Sequence, residues 1–186
     1  IGKELEVYND LLIAAGNFQL AGGVLVSNLA AWNGNNWSAY AGGTNALIQT
    51  LFVDTINEYL YLSGDFSFVG GTLPVSYFAK WDGENWFDLD GGVNCNALAM
   101  ELYQNQLYIG GCFDEAGGKP IKYLARYNGT VWDSVGTSQN NELGVATLAV
   151  FQDELYVGGN FTQIGDSVVS GLAKWSYPLS LACQDM

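Results

Sequence analysis

Histidine is absent from the 186 residues, which removes the commonest general base and the commonest metal-binding side chain. A Ser or Cys nucleophile of the usual kind therefore has no imidazole to activate it. Basic residues are scarce as well: 6 Lys and Arg stand against 19 Asp and Glu, a formal net charge of −13. A surface of that sign repels phosphate backbones and anionic lipid, so neither nucleic acid nor a membrane surface is an expected partner. Divalent cations remain compatible with it. No apolar run approaches the 18 or so residues that would cross a bilayer as a helix, and no stretch carries the period of an amphipathic helix. The 3 cysteines form no Cys-x-x-Cys, which argues against zinc.

What is abundant is glycine and aromatics: 24 Gly, 11 Tyr and 6 Trp, in a chain 49% hydrophobic. That composition belongs to a turn-rich all-β protein with one sizeable core. Its organising stretch is Leu155-Tyr156-Val157-Gly158-Gly159-Asn160-Phe161, with earlier copies ending at Phe18, Phe66 and Phe113. The steps between these phenylalanines are 48, 47 and 48 residues. A fixed period of this length marks a propeller or solenoid. Ile1 opens directly onto repeat material, as expected of a mature form without a signal peptide or of an excised piece.

Each copy is preceded by a short strand and a tight turn: Leu5–Tyr8 with Asn9-Asp10, Met100–Tyr103 with Gln104-Asn105, Leu148–Phe151 with Gln152-Asp153. Apolar and aromatic runs split by two polar turn formers predict hairpins. The second copy departs, with a longer connection from Asn45 to Leu60 that places Asp54 to Glu58 in the turn. After each organising strand comes a Gly-rich loop of about a dozen residues. A third strand follows (Leu29–Trp32, Phe78–Trp81, Leu124–Tyr127, Leu172–Trp175), then Asn33-Gly34, Asp82-Gly83 or Asn128-Gly129 as a turn. The fourth strand opens on Trp37, Trp86 or Trp132. Four short antiparallel strands per repeat make one propeller blade.

A strand ending in Gly-Gly, an aromatic closing the third strand and a Trp a few residues on resemble the kelch-type repeat. LYVGGNF, LAKW and FAKWDGENW are similar to kelch-like repeats of secreted and cell-surface proteins of bacteria, Bacteroidetes in particular. The likeness covers nearly the whole chain, except that the fourth repeat carries Ser176-Tyr177-Pro178 in place of the Asp-Gly turn and lacks the second Trp. It implies one propeller domain over 1–186 with repeats at about 4–42, 45–92, 96–137 and 145–183. These form a four-bladed ring or an arc of a larger one, and several chains completing one ring is a further possibility. It also implies a non-catalytic, secreted or surface-exposed module that binds protein or glycan, or serves structurally in an adhesin-like assembly. Propeller folds host many activities, and the alternative is a carboxylate-dependent, glycan-active enzyme with its site in the propeller mouth.

Several side chains are candidates for recognition. The loops between the organising and third strands differ most among repeats, and loops on a rigid scaffold are where recognition sits. Within them Lys119 and Lys122 are basic in an acidic chain, and Leu73 and Val169 are apolar where solvent is expected. Their expected partner is a neighbouring protein or another copy of the chain. Trp37, Trp86 and Trp132, each paired with an earlier aromatic, suit either sugar stacking or pinning of the turn. Their recurrence in blade after blade favours pinning. No cofactor is expected. Calcium is the one metal the acidity admits, with Asp114, Glu115 and Asp166 as its weak candidates, since no Asp-x-Asp-x-Asp pattern is present. Three Asn-x-Ser/Thr triplets occur, close to the chance number. Finally, folding the hairpin about Gln104-Asn105 sets Cys95 nearly opposite Cys112, and a small bulge would bring them into bonding range. A disulfide there predicts an oxidising, extracellular location, with Cys183 left over.

Overall fold

A computed structural model describes residues 1–135, 144–164, 167–168 and 170–175. The chain divides into two compact units, Ile1–Asn96 and Ala97–Met186. Among the described residues there is no helix, and so none long and apolar enough to cross a membrane.

The first repeat runs β1 Gly2–Tyr8, β2 Leu11–Gly16, β3 Leu20–Ala21, β4 Val24–Leu25, β5 Leu29–Trp32 and β6 Trp37–Ala39. The second is β7 Ile48–Asp54, β8 Tyr59–Gly64, β9 Phe68–Val69, β10 Leu73–Pro74, β11 Phe78–Trp81 and β12 Trp86–Phe87. In the second unit the third repeat supplies β13 Ala97–Tyr103, β14 Gln106–Gly111, β15 Leu124–Tyr127 and β16 Trp132–Ser134. The fourth supplies β17 Gly144–Phe151, β18 Glu154–Asn160, β19 Gln163–Ile164, β20 Ser167–Val168 and β21 Leu172–Trp175. Three repeats thus form four-stranded antiparallel sheets in the orders β1-β2-β5-β6, β7-β8-β11-β12 and β13-β14-β15-β16. The fourth forms a three-stranded sheet, β17-β18-β21, within the described residues. The organising strands β2, β8, β14 and β18 each sit inside a separate sheet.

Local chemistry accounts for these meanders. The turns Asn9-Asp10, Gln104-Asn105 and Gln152-Asp153 hold both residues at positive φ, between 49° and 61°. That geometry matches the right-handed twist of the strands they join. In the second repeat β7 continues through Asp54, so the longer connection expected from the sequence shrinks to a four-residue turn. Asp54 Oδ1 caps it by accepting from the N–H groups of Ile56 and Asn57, both at 2.9 Å.

In all four repeats the first strand extends earlier than the apolar pattern suggests, and a β-bulge interrupts it. The register shifts between Gly2 and Glu4, Ile48 and Thr50, Ala97 and Ala99, and Val145 and Thr147. The extra residue pushes backbone toward the end of the organising strand, which explains its closing glycine. A Cβ on Gly16, Gly64 or Gly159 would overlap the carbonyl oxygen of Ile1, Leu47 or Gly144 respectively. These are close-approach glycines rather than turn glycines.

Cross-strand partners share a sheet face, so the register sorts the core. In the first unit, Tyr8, Ile13, Ala15, Leu29 and Ala31 of one sheet face pack on Leu51, Leu60, Leu62 and Ala79 of the other sheet. In the second unit, Tyr103, Tyr108 and Leu124 pack in the same way on Leu148, Val157, Leu155, Ala173 and Trp175. Each fully buried aliphatic or aromatic contributes about 1.5–3 kcal/mol relative to exposure. A hydroxyl stitch recurs beside each core: Tyr8 donates to Glu58 O at 2.8 Å, and Tyr103 donates to Asp153 O at 3.0 Å. In both cases the last residue of a first strand reaches the hairpin turn of the next sheet.

Candidate functional site

The segment after an organising strand is not a plain loop. In the first, second and fourth repeats it folds into a two-stranded ribbon: β3 with β4, β9 with β10, and β19 with β20. The third keeps a single bridge between Ala116 and Lys119. Gly22-Gly23, Gly70-Gly71 and Gly117-Gly118 form the tips of three of them. In the first two ribbons the tip folds onto the Trp that opens the fourth strand. A Cβ on Gly22 would stand 2.6 Å from Trp37 Cδ1, and one on Gly70 2.9 Å from Trp86 Cδ1. The ribbon and the indole are therefore fitted to each other.

The three aromatic pairs follow from the register, Trp32 opposite Trp37, Trp81 opposite Trp86 and Tyr127 opposite Trp132. Their ring centroids lie 5.5, 5.0 and 4.9 Å apart. Trp132 is fully buried, while Trp37 and Trp86 are half-buried. Trp86 Nε1 donates to Ala41 O at 2.7 Å, which ties the second sheet to the segment entering it. Asn28 fastens the same segment from the other side. It sits at φ 65°, is buried, and donates from Nδ2 to Thr44 O (3.1 Å) and Ala46 O (3.0 Å). Its Oδ1 accepts from Phe18 N at 3.1 Å.

The loop residues singled out by sequence are scattered in character. Leu73 is half-buried against the first unit's core. Lys119 and Lys122 are exposed, and Lys119 Nζ donates to Trp132 O at 3.2 Å. Ile121 between them is buried, so that stretch turns its apolar side inward. Asp114 and Glu115 are exposed. Val169, Asp166 and Cys183 lie outside the described residues. Among the described residues no three His, Cys, Asp or Glu side chains gather as a metal site would require. Cys95 and Cys112 are disulfide-bonded; a register shift between Ala97 and Ala99 lies close by, as in the other three repeats.

Sequence reading overlooked the exposed hydrophobic side chains on the ribbons. Leu20, Val24 and Leu25 of the first and Phe68 of the second are all exposed to solvent. The signal was present, since Gly22-Gly23 between Leu20-Ala21 and Val24-Leu25 is itself a two-residue hairpin pattern.

Turn carboxylates and carboxamides are engaged in backbone capping. Asp82 Oδ1 accepts from Glu84 N (2.9 Å) and Asn85 N (2.7 Å), and these donors hold its carboxyl below the ordinary range. Asn33 and Asn128 cap their turns in the same way. Lys80 lies over the rings of Tyr59 (4.0 Å) and Phe87 (4.8 Å), and burial lowers its ammonium from the usual value. These groups cap turns and pack on rings. The fold and its ribbons define a repetitive, antiparallel all-β scaffold. No family model matches the chain, and no curated protein does either.

Proposed function

We propose that the four sheets are blades of a kelch-like β-propeller, and that the chain is a non-catalytic, secreted or cell-surface module that binds a protein or glycan partner. The observation that carries this reading is the combination of rigid repeat sheets with ribbons presenting Leu20, Val24, Leu25 and Phe68 to solvent. Solvated hydrophobic side chains concentrated on scaffold-borne loops are a recognition surface in search of a partner. The disulfide between Cys95 and Cys112 supports an oxidising compartment. Lys119 and Lys122 would add a basic contact on the third repeat.

The test uses the folded chain and cells of its own source from which surface protein has been stripped. Binding to those cells, and to a panel of soluble polysaccharides by calorimetry, is compared for three proteins. These are the native chain, a variant with Leu20, Leu25 and Phe68 replaced by Ser, and one with Lys119 and Lys122 replaced by Ser. Loss of binding in the first variant with an unchanged circular-dichroism spectrum is the expected result. Unaltered binding by both variants moves the site off the ribbons, and release of new reducing ends from any polysaccharide overturns the non-catalytic reading.

A further inference from the structure

The repeats let each sheet face be judged against its counterparts. Leu5 and Val7 of the first sheet occupy the places of Leu51 and Val53 in the second and Leu148 and Val150 in the fourth, as the pairings Leu5–Ala14, Leu51–Leu62 and Leu148–Val157 show. In the second and fourth sheets this face meets the sheet before it: Leu51 and Leu148 are buried, Val53 is half-buried, and Val150, at the fourth sheet's margin, is 39% exposed. In the first sheet the same face is bare: Leu5 is 60% exposed and Val7 64%.

The opposite face of the fourth sheet shows the complementary state. Phe151 stands where Tyr8 and Tyr103 stand in the first and third sheets, and Leu172 stands where Leu29 and Leu124 do. Those four residues are buried against the following sheet. Phe151 is 60% exposed and Leu172 49%. One bare face therefore has the shape and chemistry of a surface that is covered twice elsewhere. The other has the shape and chemistry of the surface that does the covering. The first unit and the second unit each show, within themselves, how such faces mate.

We infer that the chain self-associates head to tail, with the Leu5–Val7 face of one copy packing on the Phe151–Leu172 face of a second copy. The joint is apolar. Phe151 lacks the hydroxyl with which Tyr8 and Tyr103 stitch their sheets to the next, so no such bond forms across it. Because the two surfaces differ, the contact is heterologous, and repetition either closes a ring or continues as a filament.

Sedimentation of the full chain from about 1 to about 200 μM tests this. Mass must rise with concentration, and a chain that stays monomeric throughout overturns the inference. Two blocked variants then identify the faces: Leu5→Arg with Val7→Arg, and Phe151→Arg with Leu172→Arg. Each alone must be monomeric, and their equimolar mixture must form a heterodimer, because one unblocked face of each kind remains. A mixture that stays monomeric, or a blocked variant that still self-associates, overturns the head-to-tail contact. Hydrogen exchange on the native chain reads the same surfaces without substitution. At high concentration amides of both β1 and β17 must gain protection, and a gain at neither or at only one strand refutes the pairing.

Discussion

At the scale of the residue, the closing glycine of each organising strand is the most demanding position. Gly64→Ala would drive a Cβ into the carbonyl of Leu47, and overpacking of this kind costs about 1–3 kcal/mol. Gly2→Ala is its control, since nothing lies within 4 Å of the added atom. Urea unfolding of the two variants checks the difference. Glu6 offers a second residue-level test. Burial, assisted by the nearby charge of Glu4, raises its carboxyl above the usual value. The folded state then holds the proton more tightly than the unfolded one, so stability falls as pH rises through that interval. Glu6→Gln therefore raises the urea midpoint at about pH 7 and leaves it unchanged at about pH 3. Asp82 has the opposite sign, its contribution being present above the ordinary carboxylate value and lost as pH falls. Neither close approach nor burial is visible in a residue's own letter. Gly16 and Gly64 are conspicuous in sequence because they recur, but the bulge that requires them is a property of the neighbouring strand.

At the scale of the element, the hairpins, the third strands and the aromatic pairs were legible because turn formers and a two-residue alternation announce them locally. The ribbons were legible only through Gly-Gly tips such as Gly22-Gly23. Two-residue strands such as Leu20–Ala21 carry too few side chains for alternation to show. The Tyr8 and Tyr103 stitches link residues about fifty positions apart, and such pairings leave no local trace. Tyr8→Phe and Tyr103→Phe each remove one hydroxyl from a carbonyl of the next sheet, for an expected loss of about 0.5–1.5 kcal/mol. Thermal unfolding of each variant against the native chain measures it. The cysteines bracket the β13–β14 hairpin in the chain, Cys95 before it and Cys112 after it. Reduction releases a loop of 18 residues, Cys95 to Cys112, and costs about 3 kcal/mol. A melting temperature unmoved by a strong reductant would contradict that account.

At the scale of the whole molecule, the 48, 47 and 48 spacing foretold four equivalent sheets, and the chain delivers three of four strands and one of three described strands. The open faces of the first and fourth sheets were beyond the reach of sequence, because Leu5 and Leu51 read alike and only a neighbour distinguishes them. Those bare faces sit on a chain of net charge −13, which sets apolar attraction against mutual repulsion whenever two copies meet. Dissolved ions weaken the repulsion, with a screening length of about 30 Å at 0.01 M falling to about 8 Å at 0.15 M, and leave the apolar attraction intact. Association must then strengthen from dilute buffer to brine, opposite to the trend for a contact built on ion pairs. Light scattering across a sodium chloride series follows it directly. The medium around the protein, as much as its concentration, would set how many copies travel together.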